Sequence, residues 1–184
     1  MKDLSLNLLD IAENSVKAGA TLTQLLLTQE ASILTFQVVD DGCGMTEEIL
    51  RGVVDPFYTT RTTRKVGMGL PLLRMAAEQT GGTMEVKSRH VSVHPDNHGT
   101  VVTAVFHTDH IDCPPVGDLV ATVTTLIQGH PDTDFLFRHT TDTVQVELDT
   151  RQLREILGEV SLAEYEVLQW ITGFLTDQYN GEET

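Results

Sequence analysis

With 27 Asp and Glu against 12 Lys and Arg in 184 residues, the chain carries a formal charge of -15, which argues against general nucleic-acid binding, a class that draws its affinity from clustered bases on phosphates. A hydrophobic content of 40% and a mean hydropathy of -0.08 fit one buried core, or one core and a small annex. No apolar run approaches the roughly 18 residues of a membrane span, and the opening "MKDLSLNLLD" is acidic where a signal peptide is basic then apolar, so a cytoplasmic protein without membrane contact is expected.

In chain order, "LSLNLLDIAENSVKAGA" places Leu4, Leu8, Ile11 and Ser15 at helical spacing and meets a stop at Gly19. "TLTQLLLT" and "ILTFQVV" read as two strands paired around the turn "QEAS". "VVDDGCGM", residues 38–45, ends the second strand on two aspartates and two glycines. "TEEILRGVV" is a short helix with Thr46 as N-cap and Glu47 and Glu48 in its first turn. "LPLLRMAAEQTGG" is another, with Pro71 near its start and Gly81 and Gly82 beyond its end. "TMEVKSR" and "GTVVTAVF" follow as strands joined by "HVSVHPDNH". The sheet is expected to gather mainly consecutive antiparallel neighbours with helices on one face, a two-layer α/β sandwich.

The charge is uneven, with a net of -4 over residues 1–110 and -11 over residues 111–184. The shift falls at "DHIDCPPVGD", whose Pro114 and Pro115 stop any regular element, so two domains are expected: 1–110, and an acidic α+β extension over 111–184. That extension reads as helix, two strands and two helices, and no catalytic motif stands in it. Its last helix carries Leu168, Trp170, Ile171, Phe174 and Leu175 on an apolar face, which suits a docking module and equally suits packing on the first domain. Cys43 and Cys113 stand far apart without metal-ligand spacing, so neither a disulfide framework nor a zinc site is indicated. His90, His94 and His98 read as polar residues of an exposed hairpin rather than as a metal cluster.

Three stretches carry chemistry. Asp10, Asn14 and Lys17 line one face of the first helix; a carboxamide oxygen suits Mg²⁺ and a carboxylate can orient or deprotonate an attacking group, although a solvated helix face shows the same pattern. Asp40 closes a strand and is followed by Gly42 and Gly44, so it can accept from an amino group on a flat ring that the glycines let approach; an acidic hairpin turn is the plainer alternative. From Tyr58 to Ala77 there is no acid, while Arg61, Arg64, Lys65 and Arg74 and the turn Gly67-Met68-Gly69 open a helix. Such a turn leaves N–H groups for phosphate, but it lacks the Rossmann and P-loop spacings.

"LDIAENSVKAGA", "DDGCGM", "DPFYTTR", "GMGL" and "HGT" resemble, in order and spacing, the N, G1, F, G2 and G3 boxes of the superfamily of gyrases, heat-shock chaperones, histidine kinases and mismatch-repair ATPases. The likeness spans about residues 3–107. It implies a Bergerat-type sandwich that binds ATP and Mg²⁺ under a lid between the F and G2 boxes, and "DPFYTTR" before a short lid is most similar to the histidine-kinase type. By position it implies Asn14 as metal ligand, Asp10 as general base, and Asp40 on the adenine amino group with Gly42, Gly44 and Met45 beside it. Thr60, Arg61 and Lys65 of the F box and lid, Gly67, Met68, Gly69 and Leu70 of the second glycine box, and Thr100 of the third complete the nucleotide set. Asp41 stands where the family commonly has Asn.

The boxes begin within ten residues of Met1 and no histidine stands in a helical acceptor context, so transfer of the ATP γ-phosphoryl to a separate protein partner is expected. An ATP-dependent switch with slow or no hydrolysis is the alternative, and a homodimer is left open.

Overall fold

The computed structural model describes residues 3–54 and 69–181. Helix α1 (Leu4–Lys17) starts at Asp3, whose carboxylate accepts from Leu6 N–H and caps the first turn. Its buried stripe of Leu4, Leu8, Ile11, Ala12 and Ser15 turns the helix onto a sheet made by strands β1 (Leu22–Glu30) and β2 (Ile33–Asp40). In both strands alternate residues are buried, Leu25 and Leu27 in one and Leu34, Phe36 and Val38 in the other, as a half-covered sheet requires. Helices α2 (Glu47–Val54) and α3 (Gly69–Gln79) precede the hairpin β3 (Thr83–Arg89) and β4 (Gly99–His107). Pro71 falls in the first turn of α3, where a missing N–H breaks no helical hydrogen bond.

Beyond residue 112 come α4 (Leu119–Gly129), β5 (Asp134–Thr140), β6 (Gln145–Asp149), α5 (Thr150–Leu157) and α6 (Tyr165–Asn180). One mixed six-stranded sheet runs in the order β3-β4-β2-β1-β5-β6, an α/β fold. Three hairpins of consecutive strands are present, and antiparallel β2–β4 and parallel β1–β5 pairs join them. The parallel pair departs from the expected consecutive pattern for a physical reason: β5 is delivered by helix α4, and a helical crossover is what lets a strand add in the parallel sense.

The expected boundary lies in the connector between β4 and α4. There the carbonyls of Pro115 and Val116 accept from the free N–H groups of Leu4 and Ser5 at 2.9 and 2.8 Å, satisfying the first turn of α1 from outside. His130 at the end of α4 meets Glu13 of α1 at 2.7 Å. The apolar side chains of both segments form a single cluster from Leu4 to Leu175. Within it Phe36, Phe106, Phe135 and Phe137 are fully buried, each contributing about 1.5–3 kcal/mol through burial. Among the described residues no helix is long and apolar enough to cross a membrane.

Candidate functional site

Asp40 is the last residue of β2, in register with Thr23 of β1 and Thr100 of β4, so its side chain emerges where the sheet ends. Both carboxylate oxygens are held. Ser15 Oγ of α1 donates to Oδ2 at 2.7 Å, and the N–H of Gly42 donates to Oδ1 at 2.9 Å. Each oxygen keeps a further lone pair for a ligand. Asp41 turns away, and Thr21 N–H and Leu22 N–H donate to its Oδ1 at 2.8 and 3.0 Å while the Thr21 hydroxyl donates to Oδ2. Partial burial pushes the Asp41 carboxyl up, but these bonds from Leu22 and Thr21 outweigh it and hold the group below the usual carboxylate value. The two neighbouring aspartates therefore divide their work: Asp41 ties the entry of β1, and Asp40 faces a cavity.

That cavity, of about 210 Å³, lies between α1, α2, the start of α3 and the sheet end. Ile11, Val53, Leu70 and Val102 give it apolar walls, and Asn14, Ser15, Asp40 and Thr100 supply its polar groups, with Gly44 and Met45 at the side. A mostly apolar slot with a few fixed polar atoms suits a flat heterocycle. Of the residues singled out from the sequence, Asn14, Asp40, Gly44, Met45, Leu70 and Thr100 thus share one cavity. Gly42 is buried behind Asp40. Asp10, exposed and one helical turn from Asn14, stands outside the lining but against the start of α3, where a methyl added to Gly69 would lie 3.4 Å from the Asp10 Cβ. Thr60, Arg61, Lys65, Gly67 and Met68 lie outside the described residues.

Three residues that sequence reasoning missed hold this arrangement. Ser15 is one: a hydroxyl on an otherwise apolar stripe was its only signal. Ser88 of β3 is the second, accepting from Met45 N–H at 2.7 Å and lying 2.8 Å from Thr100 Oγ1 and 3.1 Å from the Gly99 carbonyl. Its single proton goes to one or the other, and that choice decides whether Thr100 offers a donor or an acceptor to the cavity. The third is His98, whose Nδ1 bonds the Gly42 carbonyl and pins the β3–β4 loop to the loop after Asp40. His90 and His94 stay in that loop's periphery, and among the described residues no group of three His, Cys, Asp or Glu forms a metal cluster.

Two glycines are demanded by close approach. Gly44 has φ +69° and a Cβ there would lie 2.0 Å from the Arg89 carbonyl oxygen; Gly99 has φ +137° and a Cβ would lie 2.1 Å from the Asp40 carbonyl oxygen. Gly99→Ala should cost about 1–3 kcal/mol through backbone conformation alone, and the clash adds to this by forcing β4 from β2 beside Asp40. A lowered thermal midpoint is the expected outcome, read by circular dichroism; an unchanged midpoint would contradict the geometry.

A six-stranded sheet backed by helices, with a ring-sized slot at the end of β2 and a glycine-started helix beside it, defines an α/β domain built around a ligand site. The chain belongs to the histidine kinase-, DNA gyrase B- and HSP90-like ATPase family, whose model matches residues 2–110. Among curated relatives it is similar to the sensor protein KdpD of Clostridium acetobutylicum, 28% identical over 94 residues that make up 48% of this chain and 10% of that protein. It is also similar to the sensor histidine kinase YvrG of Bacillus subtilis, 31% identical over 99 residues, 50% of this chain and 16% of the other. The chain thus spans well under a fifth of these relatives' lengths. Among solved structures, the Aquifex aeolicus MutL ATPase domain complexed with ADP shares the fold with a TM-score of 0.54 at 13% identity, covering 85% of this chain and 69% of that one. Coverage of 85% exceeds what residues 2–110 can supply, so the shared fold takes in part of the segment beyond residue 112.

Proposed function

We propose that the protein binds Mg-ATP in the cavity at Asp40 and transfers its γ-phosphoryl to a partner protein. The observation that carries this reading is the convergence of Asn14, Asp40 and Thr100 on one slot, with Asp10 set against the start of α3. Asp40 accepts from the adenine amino group, and Thr100 meets the ring edge as a donor when the Ser88 proton is turned toward it. The phosphates run toward the start of α3, whose free N–H groups and positive dipole end favour anions. Asn14 offers a carboxamide oxygen on the cavity wall, and Mg²⁺ is commonly held by one or two protein oxygens with phosphates and water completing its shell, so the residues fit that ion. When bound, the ion neutralises phosphate charge. Asp10 then orients or deprotonates the attacking group.

A second reading, an ATP-dependent switch with slow or no hydrolysis, is favoured by one observation: α1, which carries Asp10 and Asn14, is bonded directly to the acidic C-terminal segment through Pro115, Val116 and His130. Nucleotide at α1 then biases the surface that segment presents. Calorimetric titration with ATP and GTP tests the site both readings need. ATP is expected to bind about tenfold or more tightly, because a guanine carbonyl would face the Asp40 carboxylate as acceptor against acceptor, and equal affinities would remove the adenine assignment. Label carried from γ-labelled ATP onto a partner captured from the source cells supports the kinase, and ATP-dependent capture without label supports the switch.

A further inference from the structure

Helices α5 and α6 leave an apolar groove of about 520 Å³ on the surface, walled by Leu153, Ile156, Leu157, Val160, Val167 and Trp170 with Glu166 at its rim. Its walls are far more open than a core tolerates. Ile156 is 82% exposed, Val160 51% and Trp170 51%, and Tyr165 beside them is 73% exposed. Trp170 is held flat by stacking on Phe174, with ring centroids 4.8 Å apart, so a large apolar surface is presented at little further cost in side-chain freedom. Exposed apolar patches of this kind mark interaction sites, and Trp is enriched among the anchors of interfaces.

The rim chemistry chooses the occupant. From Glu155 to the C-terminus the chain has seven acidic residues and no base. Glu166 lines the groove, Glu155, Glu159 and Glu164 are exposed and stand next in sequence to Ile156, Val160 and Tyr165, and the nearby Arg151 and Arg154 are already paired to Asp149 and Asp134. An anionic membrane or nucleic acid would be repelled by this rim. A second copy of the chain would set the same acids against themselves across a twofold axis. A groove between two helices, with apolar walls and an acidic border, fits an amphipathic helix whose apolar stripe is flanked by Lys and Arg.

We propose that the α5–α6 groove docks a basic amphipathic helix of the protein partner. The proposal rests on the reading that the acidic segment meets a partner, and it names where and by what chemistry.

The test uses the full chain and Trp170, its single tryptophan, as the reporter. A capped leucine–lysine peptide with leucines at helical i, i+4, i+7 spacing is titrated against the protein, and the same peptide with glutamates for lysines is the control. Binding of the lysine peptide with a blue shift of Trp170 emission, weakening with salt, is expected, with no response to the glutamate peptide. Ile156→Glu and Val160→Glu are exposed positions, so the fold should hold. Each adds negative charge while removing apolar contact, so a loss of about tenfold or more in affinity isolates the groove from general electrostatic attraction. Equal binding by wild type and both variants would overturn the groove while leaving a basic partner intact. No binding by wild type would overturn the groove and the basic-partner reading together. A dimer seen in sedimentation and abolished by Ile156→Glu would assign the groove to a second copy and overturn the proposal as well.

Discussion

Asp40→Asn is expected to abolish most adenine-nucleotide affinity while leaving the fold in place. The carboxylate accepts from Gly42 N–H through Oδ1 and from the Ser15 hydroxyl through Oδ2. An asparagine has one acceptor oxygen, and the Gly42 donor is a fixed backbone group, so the oxygen must turn to Gly42 and the amide nitrogen must take the Oδ2 place. Ser15 can adapt, since the Ile11 carbonyl lies 3.3 Å from its hydroxyl and its oxygen can accept from the new amide. The protein is therefore satisfied internally. In the pose where the Oδ2 lone pair meets the adenine amino group the ligand is not, because an N–H now stands in its place. A donor facing a donor in a desolvated slot costs about 1–3 kcal/mol, or roughly 5- to 150-fold in affinity. The same swap offers a donor to the guanine carbonyl, so the ATP-to-GTP preference should shrink. Calorimetry showing unchanged ATP affinity would remove Asp40 from the adenine contact.

What could be read in the sequence, and what could not, follows from how far apart the interacting residues lie. Strands and helices whose signal is local were legible: the β2 and β3 runs and the helix begun at Gly69 fall where the strand runs and the glycine turn place them. The start of α6 was not. Glu164 at its N-cap makes no side-chain hydrogen bond to mark it, and the helix begins only at Tyr165, after Leu162 has been anchored fully buried in the core. Asn14, Asp40, Gly44, Met45, Leu70 and Thr100 of the cavity were legible because each sits in a short motif. Their supports were not, since Ser15 reaches Asp40 across 25 residues and His98 reaches Gly42 across 56. Only the sheet order brings them together. Parallel pairing of β1 with β5 is hidden for the same reason: the partner strand lies about a hundred residues on, behind a helix whose role as a crossover has no sequence mark. Asp41 illustrates a further limit, since adjacent aspartates look alike in a sequence and the structure separates them by the direction each side chain takes.

Asp10→Asn is expected to leave nucleotide binding within about threefold of wild type and to lower phosphoryl transfer by roughly 10²- to 10⁴-fold, the range a positioned acid–base group supplies. The side chain is exposed and stands outside the adenine slot, so a change of one oxygen to nitrogen there disturbs no bond that holds the ring. It does stand against Gly69 at the first turn of α3, the end of the site to which the phosphates run in the proposed pose. An asparagine of equal size keeps that packing and loses the ability to take a proton. Removing the negative charge beside the phosphates should, if anything, ease ground-state binding slightly, so a fall in rate with affinity held or improved is the signature of a group that acts in the transition state. The measurement is single-turnover transfer from γ-labelled ATP to the captured partner, beside a titration of the same variant with ATP. Transfer at the wild-type rate would show that Asp10 is not the base, and ATP-dependent partner binding that persists with no transfer in either protein would move the function from kinase to switch.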